Sequence, residues 1–167
     1  MSVCLDASLL LKWMLREPGS DEVEKWLKLH LGEELVAPHL MPAEVASTLR
    51  RASRQGRIDP EQVQRSLDLL AELKPRLIWD WELIKRAFTL ARGLSQSGVY
   101  DCLYLAVAEA VGCELWTADA RFAQQAAPAY PQVRLLEVTT YGGRSASAAR
   151  LLKHTTGRGP RDVQTIT

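Results

Sequence analysis

The stretch Val99-Tyr100-Asp101-Cys102-Leu103-Tyr104-Leu105-Ala106-Val107-Ala108-Glu109-Ala110 is an apolar run of helical length with one acid in its first turn. A helix that is apolar on every side belongs in an interior. A carboxylate at such a place is costly unless a partner or a metal satisfies it. Three other acids occupy matching positions, each at the edge of an apolar segment: Asp6, Glu44 and Asp119. The pattern reads as a scaffold that brings four carboxylates together.

Working outward, Gly112 stops this helix, and Glu114-Leu115-Trp116-Thr117 reads as a strand ending at Asp119. A helix over Ala120–Ala127 closes at Pro128, and Gln132–Leu136 reads as a last strand. On the amino-terminal side, Trp81 to Leu94 is amphipathic, and Arg76–Trp79 is a short strand. Asp59-Pro60-Glu61-Gln62 is a helix start with a cap, a proline and a glutamine three residues after the cap. Pro42 opens an earlier helix with Glu44 in its first turn. Glu34–Ala37 is a strand cut off by Pro38. Ser20 is expected to cap a helix whose apolar face is Val23, Trp26, Leu27 and Leu31, with Glu24 on its solvated face. Ser2–Leu5 is a strand that breaks at Asp6, followed by a short helix through Trp13. Strands alternating with helices predict an α/β fold with a parallel sheet covered on both faces.

The chain has 167 residues, 47% of them hydrophobic, and a formal net charge of +1. That length suits one domain, and that composition supports a core rather than disorder. The near-zero charge makes no bulk case for a polyanion, but its distribution is uneven. Residues 142–167 carry five basic residues against Asp162, leaving +4 there and −3 over 1–141. We therefore divide the chain into a domain over 1–141 and a basic, Gly/Ser/Thr-rich tail over 142–167. Cys4, Cys102 and Cys113 are odd in number, lack a C-x-x-C pair and lie in apolar surroundings, which reads as reduced thiols in a cytoplasmic protein and against zinc. No apolar run approaches the roughly 20 residues of a membrane span, and the first strand meets an acid too early for a signal peptide.

In open parallel sheets, ligands bind beyond the carboxyl ends of the strands. Asp6 and Asp119 follow strands, and Asp101 and Glu44 begin helices, so all four acids can meet at that edge. Each also has a plain structural use: Asp6, Asp101 and Asp119 as helix caps, Glu44 as a complement to a helix dipole. Two unit charges about 4 Å apart repel by about 4 kcal/mol at an effective dielectric of about 20, so converging carboxylates need protons or a cation. An all-oxygen set favours Mg²⁺, with Mn²⁺ as substitute, and suits metal-assisted phosphodiester hydrolysis. Ser8 and Thr117 stand beside Asp6 and Asp119 and are candidates to orient a carboxylate or to hold the turns.

With these residues in place, the chain resembles a PIN-domain nuclease, most closely the VapC toxins of toxin–antitoxin pairs. The resemblance rests on Val3-Cys4-Leu5-Asp6-Ala7-Ser8 with Lys12-Trp13, Pro42-Ala43-Glu44-Val45-Ala46, Val99–Ala106, and Thr117-Ala118-Asp119-Ala120-Arg121-Phe122. It spans residues 3–136 and offers no match for 142–167. It implies a three-layer α/β/α fold and an Mg²⁺- or Mn²⁺-dependent endoribonuclease with Asp6, Glu44, Asp101 and Asp119 as its acidic site. It also implies a homodimer blocked by a VapB-like antitoxin. Some relatives carry a further acid just after the Asp119 position; Ala120 and Arg121 stand there, which leaves one metal or two open.

On this reading Asp6, Asp101 and Asp119 hold the metal, and Glu44 ligates it or orients the attacking water. Lys12, Arg50, Arg51, Arg54 and Arg121 are candidates to grip the RNA backbone. No aromatic-plus-basic motif for reading bases appears, so sequence specificity is not readable. An Asp6-nucleophile phosphatase would want a second aspartate two residues on, where Ser8 stands. No G-x-G-x-x-G or P-loop follows a strand. A non-catalytic module that holds RNA or a protein is the alternative from a different class.

Overall fold

The structure, a computed structural model, describes residues 1–136. The predicted basic tail over 142–167 and its boundary lie outside the described residues. In chain order the elements are β1 (Ser2–Leu5), α1 (Ala7–Met14), α2 (Ser20–Leu29), β2 (Glu34–Pro38), α3 (Met41–Arg54), α4 (Pro60–Leu73), β3 (Arg76–Ile78), α5 (Trp81–Gly93), α6 (Tyr100–Val111), β4 (Glu114–Thr117), α7 (Ala120–Ala126) and β5 (Val133–Leu135).

The strands form one sheet in the order β3-β2-β1-β4-β5, parallel throughout. Right-handed crossovers send the helices after β1 and β2 to one face and those after β3 and β4 to the other. Accordingly α1 packs on α2 and α3, and α3 on α4, while α5 packs on α6. The result is a three-layer α/β/α fold. The chain steps outward from β1 to β2 to β3 and then returns to the other side of β1. The order therefore reverses between β1 and β4, which is where such sheets open a ligand crevice.

Helix α6 lies against β2, β1 and β4 on one side and α5 on the other. This explains its composition. Cys102 to Ala108 are seven consecutive buried residues, which no amphipathic surface helix would carry. Gly112, at φ 72°, ends it in the left-handed conformation that a glycine adopts without strain.

Three local expectations are corrected. Ser20 does not cap α2: Gly19, at φ 94°, takes the cap position without a side-chain bond, and Ser20 is the first, buried helical residue. A turn through Arg16 and Gly19, closed by Ser20 N–H donating to Glu17 O at 3.0 Å, sets the helix start one residue early. Leu31 is 52% exposed, because α2 ends at Leu29 before the apolar face reaches it. Glu24 is only 8% exposed, not solvated, and accepts from Lys28 at 2.8 Å. Pro38 ends β2 from inside the strand. The β1–β2 pairing stops at Cys4 and Val36, so the N–H that proline lacks deprives no neighbour.

Candidate active site

Asp6 is the first residue beyond β1, and its N–H still donates to Trp116 O of β4 at 3.1 Å. Its carboxylate is 5% exposed and fully engaged. Oδ1 accepts from Ser8 N–H at 3.0 Å, capping α1, and Oδ2 accepts from the Thr117 hydroxyl. Thr117 is the last residue of β4 and is buried. Its oxygen also accepts from Asp119 N–H at 3.0 Å and lies 3.2 Å from Ser8 Oγ, which in turn accepts from Ala118 N–H at 2.9 Å. Ser8 and Thr117 thus lock the exits of β1 and β4 together at the reversal of strand order. Both hold the turns and also orient a carboxylate.

Asp119 follows that lock, and its Oδ1 caps α7 by accepting from Phe122 N–H at 2.9 Å. Glu44 stands in the first turn of α3 and accepts from the Tyr104 hydroxyl at 2.8 Å. Asp101 is in the first turn of α6 but does not cap it, since Val99 holds that position. Capping therefore accounts for two of the four acids and leaves Asp101 and Glu44 without that explanation.

The electrostatics tie the four together. Burial pushes the Asp6 carboxyl up from 3.8 to about 6, with Glu44 and Asp101 adding repulsion against the bonds from Thr117 and Ser8. Burial also raises Glu44, with the Tyr104 bond opposing and Asp101 adding to the rise. Asp101 is raised by burial and by Asp119, and Arg121 pulls it back. Each acid thus feels another, at one edge of the sheet. A cavity of about 1080 Å³ opens at the opposite edge, between Met1–Val3 and Gly112–Glu114, and none of the four acids lines it.

The donor set fits a hard divalent cation, being all carboxylate and mutually repelling. As the side chains stand, no three His, Cys, Asp or Glu among the described residues close around one point. Asp6 and Asp119 are fixed by their caps, so the freedom to close lies with Glu44 and Asp101.

The basic candidates divide. Arg121 is in the first turn of α7 and acts on Asp101. Lys12 is in the last turn of α1, with Nζ donating to Pro18 O at 3.2 Å. Arg50, Arg51 and Arg54 occupy the second half of α3, roughly 9–15 Å along the helix from Glu44 at 1.5 Å per residue. The structure brings Arg121 to the acids, sets Arg50, Arg51 and Arg54 further along α3, and turns Lys12 to the Pro18 carbonyl. Tyr104 is the site residue that sequence reasoning missed. Its signal was the spacing: Asp101 and Tyr104 are three apart and share a helix face. Burial, Asp6 and Glu44 all push its hydroxyl far above its ordinary pKa, so it stays a proton-bearing donor.

A PIN domain family model matches residues 3–128, from β1 through α7. Ribonuclease VapC9 of Mycobacterium tuberculosis is 31% identical over 119 residues, covering 71% of this chain and 87% of that protein. Ribonuclease VapC1 of the same organism is 40% identical over 103 residues, covering 57% and 68%. The crystal structure of VapBC2 from Rickettsia felis, bound to a DNA fragment from their promoter, matches with a TM-score of 0.59 at 18% identity. That match covers 81% of this chain and 97% of the other, and it shows a shared fold.

Proposed function

The chain belongs to the PIN domain family, and from that premise we propose that it is a VapC-type endoribonuclease that hydrolyses RNA phosphodiester bonds with Mg²⁺, or Mn²⁺ in its place. The observation that carries the reading is the electrostatic coupling of Asp6, Glu44, Asp101 and Asp119 at the reversal of strand order. Asp6, Glu44 and Asp101, each raised by burial and by a neighbouring acid, gather at a ligand edge, the kind of place where perturbed carboxylates mark a functional site.

Asp6, Asp101 and Asp119 would hold the cation. When bound, such an ion supplies positive charge to the phosphate and acidifies water. Asp6 is held by Ser8 and Thr117, so this one ligand is oriented before substrate arrives. Glu44, aimed by Tyr104, accepts the proton of the attacking water; its raised pKa makes it a better base than an ordinary carboxylate. Arg121 faces the developing phosphate charge. A phosphatase reading that uses Asp6 as nucleophile is disfavoured, because Ser8 stands where such chemistry wants a second aspartate.

The names of the relatives and of the VapBC structure support a toxin's role, with a VapB-like antitoxin as partner and a homodimer as the working form. No described helix is long and apolar enough to cross a membrane. Cys4 and Cys102 are buried free thiols, which fits the reducing cytoplasm. Incubating single-stranded RNA with the protein in Mn²⁺ or EDTA tests the reading. Cleavage should require the metal and fall at least about a hundredfold in Asp101→Asn; undiminished cleavage in that variant would remove the acids from the mechanism.

A further inference from the structure

Three aromatic rings, one of them at least forty positions from the other two, meet at the same edge of the sheet as the acids. His39 follows β2, Trp79 follows β3, and Trp81 opens α5. The His39 and Trp79 rings lie 4.5 Å apart, edge to face, and Trp79 and Trp81 lie 5.4 Å apart at 59°. Trp79 is 52% exposed and Trp81 68%, and His39 is exposed as well. Large rings ordinarily bury most of their area, and a contiguous exposed group of them marks a binding surface.

The strand register fixes where this surface stands. Cys4 is level with Val36, and Val36 with Arg76. Asp6, two residues on, is therefore level with Pro38 and Ile78, and His39 and Trp79 are the next residues up. With parallel strands about 4.8 Å apart, the end of β3 is about 10 Å from the end of β1. A chain of nucleotides bound at Asp6 and running across the strand ends toward β3 arrives on these rings. Of the acids beside them, Glu82 pairs with Lys85 at 2.6 Å, while Asp80 caps α5 by accepting from Glu82 N–H at 2.8 Å and keeps its charge, so attraction at this surface has to come from the rings.

We infer that His39, Trp79 and Trp81 form a stacking platform for the bases of single-stranded RNA flanking the scissile phosphate. This rests on the ribonuclease reading and adds to it how substrate is held. Every base has a π-face, so such a platform tolerates sequence and selects unpaired strands over duplex, whose bases are already stacked. The sequence shows no aromatic-plus-basic motif, and His39 joins Trp79 and Trp81 only when β2 pairs with β3.

The test uses the full chain in EDTA, where binding is separated from cleavage, with a labelled single-stranded oligoribonucleotide and the same oligonucleotide carrying abasic positions. Trp79→Ala and Trp81→Ala should each weaken binding of the intact oligonucleotide about five- to a hundredfold. Trp79→Phe should retain most of it, and the abasic strand should bind wild type and Trp79→Ala alike. Equal affinity of wild type and both alanine variants overturns the platform. So does a shift from dimer to monomer in those variants at unchanged RNA affinity, which would make the rings an interface between copies. Metal-dependent cleavage that persists with no dependence on the tryptophans sinks the platform alone. Neither binding nor cleavage of RNA by wild type sinks the ribonuclease reading with it.

Discussion

Asp6 carries two duties at once, and they pull its titration in opposite directions. Its bonds from Ser8 and Thr117 favour the carboxylate, while burial, the larger influence, and the neighbouring Glu44 and Asp101 favour the acid and hold it at about 6. Because the folded pKa lies above the ordinary 3.8, the folded state binds this proton more tightly than the unfolded chain. The resulting stability is full below about pH 4 and is lost as pH rises through about 6. A shift of about two units corresponds to about 3 kcal/mol at most. In EDTA the wild-type protein should therefore lose melting temperature between pH 4.5 and pH 7.5. Asp6→Asn should flatten that slope and melt higher than wild type at pH 7.5. Calorimetry across that range is the check, and a wild-type slope that Asp6→Asn leaves unchanged would show that Asp6 is not the group responsible. From sequence the residue reads either as a cap or as part of a site. The structure shows these are not alternatives, since one oxygen caps α1 while the other meets Thr117.

At the scale of elements, α6 was the most legible part of the chain. An apolar run without a polar face has only one stable place in a layered fold, between a sheet and another helix, and that is where α6 lies. Its end at Gly112 was readable for the same local reason. Local pattern cannot say which helix faces which, and so Tyr104 was not readable as a partner of Glu44: the two are sixty positions apart and meet only when α3 and α6 stand at one edge. Likewise the cap expected at Ser20 falls on Gly19, because the position of a helix start depends on the turn before it. The pairing of Tyr104 with Glu44 predicts a specific defect. Tyr104→Phe removes the bond that lowers the Glu44 pKa, while keeping the ring that fills the core. The acid limb of the pH–rate profile should move upward, and cleavage near pH 6 should fall about tenfold, the effect of losing one charge-assisted bond of about 1.4 kcal/mol. Melting temperature should change little. An unmoved acid limb would separate Glu44 from the rate-limiting proton transfer.

Across the whole molecule, the strands and helices were readable from periodicity, but the order β3-β2-β1-β4-β5 was not, because strand order is fixed by non-local pairing. That order makes the site. It seats β1 and β4 side by side at the centre, so acids at positions 6 and 119 exit together while α3 and α6 deliver Glu44 and Asp101 to the same edge. The acids then cost the fold stability without a cation, and a cation that relieves them must return it. A ligand that binds only the folded state stabilises by about 2.7 kcal/mol at a hundredfold excess over its dissociation constant, or roughly 5–10 °C for a domain of this size. Mn²⁺ should therefore raise the melting temperature at pH 7.5. It should do so much less at pH 5, where Asp6 is protonated and a metal must displace the proton to bind. The same titration in Asp101→Asn should show a weakened response at pH 7.5. A melting temperature indifferent to Mn²⁺ at both pH values would mean that these carboxylates repel one another without serving a metal, and the proposed chemistry at this edge would have to be abandoned.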